Sequence, residues 1–268
     1  MDKIKINKYI KSIVALYRDR MELLMRNIKL LISYDGKRYN GWQRQVSTDQ
    51  TIQTKLEQLL SKMTGEEIEL HGSGRTDKGV HATGQVANFH SNTEMSTEEI
   101  LEYMNTYLPQ DIAILDVRDA SPRFHSRLNV IQKTYVYRVW NAPTRNVLER
   151  NYIYHVPEPL DIDAMKEATT YLLGTNDYQS FCARKMKKSS IRTVHSIHIE
   201  KIGDELRFTY CGSGFLYNMV RILTGTLIEV GKHERKPESM SDLIKAKQRS
   251  LAGHTAPAQA LCLARVDY

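Results

Sequence analysis

The stretch from His71 to His90, HGSGRTDKGVHATGQVANFH, limits what this chain can fold into more than any other, because glycines at 72, 74, 79 and 84 interrupt two apolar runs around one carboxylate. Ile68 and Leu70 lead in, and Val86, Ala87 and Phe89 lead out, so the pattern predicts strand, tight loop, strand. Glycine reaches backbone angles that side-chained residues avoid, which lets the loop present Asp77 on a constrained turn. The same residues exclude two phosphate-binding loops. A dinucleotide fingerprint opening at Gly72 would need glycine where Asp77 stands, and a P-loop ending at Gly79 would need Lys-Ser/Thr where Val80 follows. The loop also runs into alternating strand residues instead of a helix.

A formal charge of +7 and a pI near 9.2 favour a polyanionic partner. The 268 residues, 41% of them hydrophobic, can fill two cores of ordinary size. Cysteines at 182, 211 and 262 form no close pair, which argues against a disulfide framework or a zinc knuckle and predicts buried, reduced thiols. No apolar run is long enough for a membrane span, and charges scattered through the start leave no signal-peptide core, so the expected compartment is cytoplasm. His195 and His198 lie three apart on an expected strand, facing opposite sides, and make a poor metal pair.

Residues 1–27 stand apart. Seven Lys/Arg against Asp2, Asp19 and Glu22 give a net +4, and Ile10, Ile13, Val14, Tyr17, Met21 and Leu24 recur at helical spacing. The segment reads either as a basic RNA-contacting helix or as a dispensable extension, and we expect the latter. Residues 28–34 predict a strand leading into a polar loop, 35–45, in which Lys37, Arg38 and Arg44 can meet phosphates while Tyr39 and Trp42 stack or pack. Ile52, Leu56, Leu59, Leu60 and Met63 mark one helix. Ser96-Thr97-Glu98-Glu99 is a capping box opening a second helix to about Leu108, and 112–117 read as strand. Strand, helix, strand, strand, helix, strand is a ferredoxin-like order.

From Ser121 the rhythm repeats loosely. Strands are expected near 133–140, 151–156, 191–200 and 205–210, and at the closing CLARVDY. Helices are expected over 161–173, from Gly214, and over 238–248. The fold class is therefore α+β: two ferredoxin-like, RRM-like halves, 28–120 and 121–268, with antiparallel sheets and a cleft between them. In KTYVYR, alternation puts Tyr135 and Tyr137 on one face, opposite Val136. Arg221 is the one charge in the middle of a mostly apolar helix; it either faces the surface or, if the helix packs under the cleft, finds in Asp77 a suitable partner for bidentate pairing. Basic residues cluster at Arg184, Lys185, Lys187, Lys188 and Arg192, and Arg123 and Arg127 flank Phe124-His125-Ser126. Such surfaces suit contact with an RNA backbone.

GSGRTDKGVHATGQV resembles the signature of the TruA family of tRNA pseudouridine synthases: Gly, a small residue, Gly, Arg-Thr-Asp, any residue, Gly-Val-His-Ala. The loop 35–45 resembles that family's first motif, and Phe124-His125-Ser126 another. Ser73 and Lys78 depart from the alanines usual at those places. The resemblance implies that Asp77 is the catalytic residue, that Arg75 helps to flip the target nucleotide, that Tyr135 stacks on the uracil, and that Arg221 is the basic partner of Asp77. It further implies a homodimer acting on uridines at the 3′ side of the tRNA anticodon arm. The reaction breaks N1 to C1′, turns the base and joins C5 to C1′, so no cofactor and no metal is expected. The rival from another class is a tRNA-binding or chaperone protein without turnover, which would have no need of Asp77. A zinc-dependent base deaminase lacks its His/Cys spacing here.

Overall fold

The computed structural model describes residues 25–185 and 189–268. The predicted basic helix within residues 1–27, apart from residues 25–27, and the cluster members Lys187 and Lys188 lie outside the described residues.

The first half runs β1 (Arg26–Tyr34), α1 (Ile52–Thr64), β2 (His71–Gly72), β3 (His81–Ser91), α2 (Thr97–Tyr107) and β4 (Ile112–Ala120). Its strands lie in the order β4-β1-β3, with β2 pairing β3, the arrangement a ferredoxin-like order produces. Helix α1 buries Ile52, Leu56 and Leu60; Thr51 caps its first turn, and Gly65, at φ +72°, closes it in the left-handed region. Ser96 and Glu99 form the capping box of α2 as expected.

The second half contributes β5 (Gln132–Trp140), β6 (Tyr154–His155), α3 (Ile162–Thr170), β7 (Gly174–Asp177), β8 (Ile191–Ile202), β9 (Glu205–Gly212), α4 (Met219–Gly231), α5 (Ser239–Ala246) and β10 (Leu261–Asp267). What the sequence pattern did not foretell is that both halves share one sheet. The order β4-β1-β3-β10-β5-β9-β8-β7 is continuous, and its seam is a short parallel pairing of β10 with β3, Cys262 opposite His81 and Leu263 opposite Ala82. All other pairings are antiparallel except β5 with β6. One cross-strand row, Ile112, Tyr34, Ala82, Leu263, Tyr135, Tyr210 and Ile197, crosses seven strands and is buried throughout. The core face of the sheet thus passes from one half to the other without interruption. Tyr135 stands beside the seam.

Four expectations shift. Strand β1 starts at Arg26, before 28, because Arg26 is held by Asp119 and two backbone carbonyls, and the buried Asn27 amide by the carbonyls of Ser121 and Phe124. Only Tyr154 and His155 of 151–156 become strand, since the Tyr152 N–H closes a turn onto Glu149. A register shift between Val194 and Ser196 puts His195 in a bulge, so His195 and His198 are both exposed instead of on opposite faces. Of the three free thiols only Cys182 is buried; Cys211 and Cys262 are half-buried. Among the described residues no helix is long and apolar enough to cross a membrane.

Candidate active site

The loop after β2 is fixed from three sides. Its end is a four-residue turn closed by the Val80 N–H donating to the Asp77 carbonyl at 3.1 Å, with Gly79 at φ +79° in third place, the signature of a type II turn. From one side comes the loop 35–45. The Trp42 N–H donates to the Thr76 carbonyl at 3.1 Å, and a Cβ on Gly41 (φ +91°) would lie 2.6 Å from that same oxygen. Trp42 and Tyr39 are both buried, so the stack-or-pack choice resolves to packing: Trp42 lies against Gly72, and the Tyr39 hydroxyl donates to Asp111 at 2.6 Å. Beneath, the Tyr34 hydroxyl meets the Thr76 hydroxyl at 2.8 Å. At the start of the loop, buried Gln85 accepts from Ser73 Oγ at 2.6 Å and donates to the Gly74 carbonyl at 3.0 Å. Ser73, the departure from the usual alanine, therefore makes a bond that alanine could not.

So held, Asp77 faces the start of α4. That helix begins at Met219 and not at Gly214, because Asn218 takes a left-handed conformation (φ 60°) and the residues before it peel off the helix axis. The peeled segment does two things. The Asn218 backbone amide comes up to the Asp77 carboxylate and favours its charged form at the positive end of the helix dipole, and Phe215 meets the Tyr135 ring edge-on at 5.3 Å. Arg221 reaches Asp77 at 4.0 Å through Nη1, with the two side chains 16% and 23% exposed. This is an ion pair without a hydrogen bond, in place of the expected bidentate fork. The guanidinium is occupied elsewhere, donating to the Ala256 carbonyl at 2.7 Å and to Asn218 Oδ1 at 2.9 Å. A second cation, Arg184, stacks over Tyr217 at 3.7 Å and also acts on Asp77. Burial pushes the Asp77 carboxyl above the usual aspartate value, and Arg221, Arg184 and the Asn218 N–H pull it back only in part.

Tyr135 and Tyr137 share a face, as alternation predicts, but meet different surroundings. The Tyr137 hydroxyl donates to the Pro257 carbonyl at 2.8 Å in a fully buried site. Tyr135 is 7% exposed, and among the described residues no hydrogen bond holds its hydroxyl. Burial, with Asp77 and Tyr34 nearby, raises its pKa and keeps the phenol protonated. Arg75 is exposed on the outer side of the loop, its Nε donating to Gln43 at 2.9 Å. The structure thus brings Asp77, Tyr135 and Arg221 to one place, while Arg75, exposed on the same loop, is engaged with Gln43.

A family described as tRNA pseudouridine synthase matches residues 30–128 and 168–268. The chain belongs to this family. Among its curated relatives, a tRNA pseudouridine synthase A from Bacillus sp. (strain KSM-64) is 46% identical over 85% of this chain and 94% of its own length. Two from Clostridium tetani (strain Massachusetts / E88), named tRNA pseudouridine synthase A 2 and A 1, are 44% and 46% identical, each over 91% of this chain and all of the relative.

Several features of this pseudouridine synthase escaped the sequence reading. The Asn218 N–H had no local signal, since a helix start displaced by one left-handed residue leaves the apolar periodicity intact. Arg184 reads in the sequence as one member of a basic cluster suited to RNA contact, whereas its stacking on Tyr217 and its action on Asp77 carry no local signal. Lys133, which donates to the Ser73 carbonyl at 2.7 Å, was legible: alternation already sets it on the face of Tyr135.

Proposed function

We propose that this synthase isomerises uridine to pseudouridine in the anticodon arm of tRNA, with Asp77 as catalytic carboxylate, Tyr135 as the surface for the uracil, Arg221 as the cation that orients Asp77, and Arg75 as the residue that helps to displace the target nucleotide. The observation that carries this reading is Asp77 itself: a partly buried carboxylate on a rigid turn, facing a cation and a helix N-terminus, beside a tyrosine whose hydroxyl has no hydrogen bond among the described residues. A stacked base cannot reach such a group, so the nucleotide must leave its stack and enter from the Arg75 side. Both attack by Asp77 on the sugar or base and removal of a ribose proton use the same ionised oxygen. The attraction of Arg221 favours that ionised form. A flat aromatic beneath a detached uracil lets the ring turn while keeping C5 near C1′.

In the same reading the halves 28–120 and 121–268 are two domains flanking the site. The exposed Arg123, Arg127, Arg184 and Lys185 hold the RNA backbone, and the enzyme works as a cytoplasmic homodimer. Release of tritium from uridine labelled at C5 tests the chemistry, because the label passes to water only when C5 becomes the glycosidic carbon. Release from an anticodon stem-loop RNA is expected. Tight tRNA binding with no release would leave a binder and defeat the assignment.

A further inference from the structure

Lys133 is a cation without an anion. Its side chain leaves β5 on the face of Tyr135, two residues away. The ammonium donates to the Ser73 carbonyl at 2.7 Å and lies against Gly74, where a Cβ would collide with it. Among the described residues no carboxylate pairs with it, and the charged group that acts on it, Arg127, is itself positive. An ammonium has three donors, so two remain unused. Burial pulls its pKa down to about 8, which marks the cost of keeping charge there. A neutral donor would hold the Ser73 carbonyl as well and avoid that cost. The charge therefore calls for a ligand outside the chain.

We propose that Lys133 binds a backbone phosphodiester of the RNA strand next to the nucleotide that enters the site, using its two free donors. Arg75 at the loop rim and Arg127 beside Lys133 then continue one basic track past the reacting centre. The proposal rests on Asp77 and Tyr135 marking that centre, but its test reads binding. Failure of the Asp77 assignment would appear as turnover by Asp77→Asn and would leave the binding results standing.

The experiment measures tRNA affinity over a salt series for the wild type, Lys133→Gln and Lys133→Arg, with turnover at saturating tRNA. Glutamine can still donate to Ser73, so it removes the charge and keeps the loop contact. Lys133→Gln is expected to bind about tenfold more weakly, with a log–log salt slope shallower by about 0.7, the value for one phosphate on a single strand. Saturated turnover should stay within about threefold of wild type, and Lys133→Arg should regain most of the affinity. In an anticodon stem-loop RNA, methylphosphonates flanking the target uridine should weaken binding to the wild type but not to Lys133→Gln. Unchanged affinity and slope in Lys133→Gln, or a loss of turnover alone, would reduce Lys133 to a loop support and overturn the proposal. Inorganic phosphate raising the wild-type melting temperature while Lys133→Gln keeps the wild-type slope would overturn it equally, since the site would then hold a free anion and not the strand.

Discussion

Replacing Asp77 by asparagine separates catalysis from folding, and the geometry fixes the sign of both effects. Asparagine fits the same turn, because the closing bond uses the Asp77 backbone carbonyl and the positive φ belongs to Gly79. It is neither a base nor a nucleophile, so tritium release should fall by at least about a thousandfold. For stability, the loss is a partly exposed ion pair at 4.0 Å, worth at most about 1 kcal/mol. Arg221 is not orphaned, since its bonds to Ala256 and Asn218 persist. On the other side, burial raises the folded-state pKa of Asp77 above its unfolded value. The contribution of such a group to stability is fullest below the unfolded pKa and is lost as pH rises through the folded one. Ionised Asp77 therefore weighs against the fold at neutral pH, and a permanently neutral asparagine escapes that loss. Melting curves should place Asp77→Asn within about 4 °C of wild type at neutral pH, with any advantage of the variant shrinking toward acid. A folded variant that turns over at the wild-type rate would refute the site. A fall of ten degrees or so would refute the weak-pair geometry instead.

Tyr135→Phe should keep tRNA affinity and slow single-turnover tritium release, whereas Tyr137→Phe should leave the rate alone and lower stability by about 1 kcal/mol, because only the latter hydroxyl has a structural bond; equal rate losses would remove Tyr135 from the chemistry. Gly79→Ala meets only Ala258, at 3.5 Å, so its cost is the left-handed backbone, about 1–2 kcal/mol, while Gly41→Ala adds a clash with Thr76 and should lose more stability and more turnover. Thermal melts and kcat for the pair test that ranking. Because Arg221 lowers the Asp77 pKa, Arg221→Gln should shift the acidic limb of the kcat/KM profile to higher pH; an unmoved limb would show that Arg221 does not set the ionisation of Asp77.

Local rules legible in the chain set most of its elements. Period-two alternation placed β5 and the shared face of Tyr135 and Tyr137, four-residue apolar spacing placed α1, the Ser96–Glu99 pair placed the start of α2, and the glycines around Asp77 marked a turn. Each of these depends on residues a few positions apart, so the sequence by itself determines them. The seam does not: Cys262 meets His81 from far along the chain, and neither short segment encodes the other's register. The site is likewise tertiary. Asp77, Tyr135 and the Asn218–Arg221 helix start come from three distant stretches, and only the continuous sheet decides that a helix N-terminus, and not merely an arginine, faces the carboxylate. Packing also decided the geometry of that pair, since the Ala256 carbonyl and the Asn218 side chain hold the guanidinium 4.0 Å away, where charge alone would have drawn it into contact.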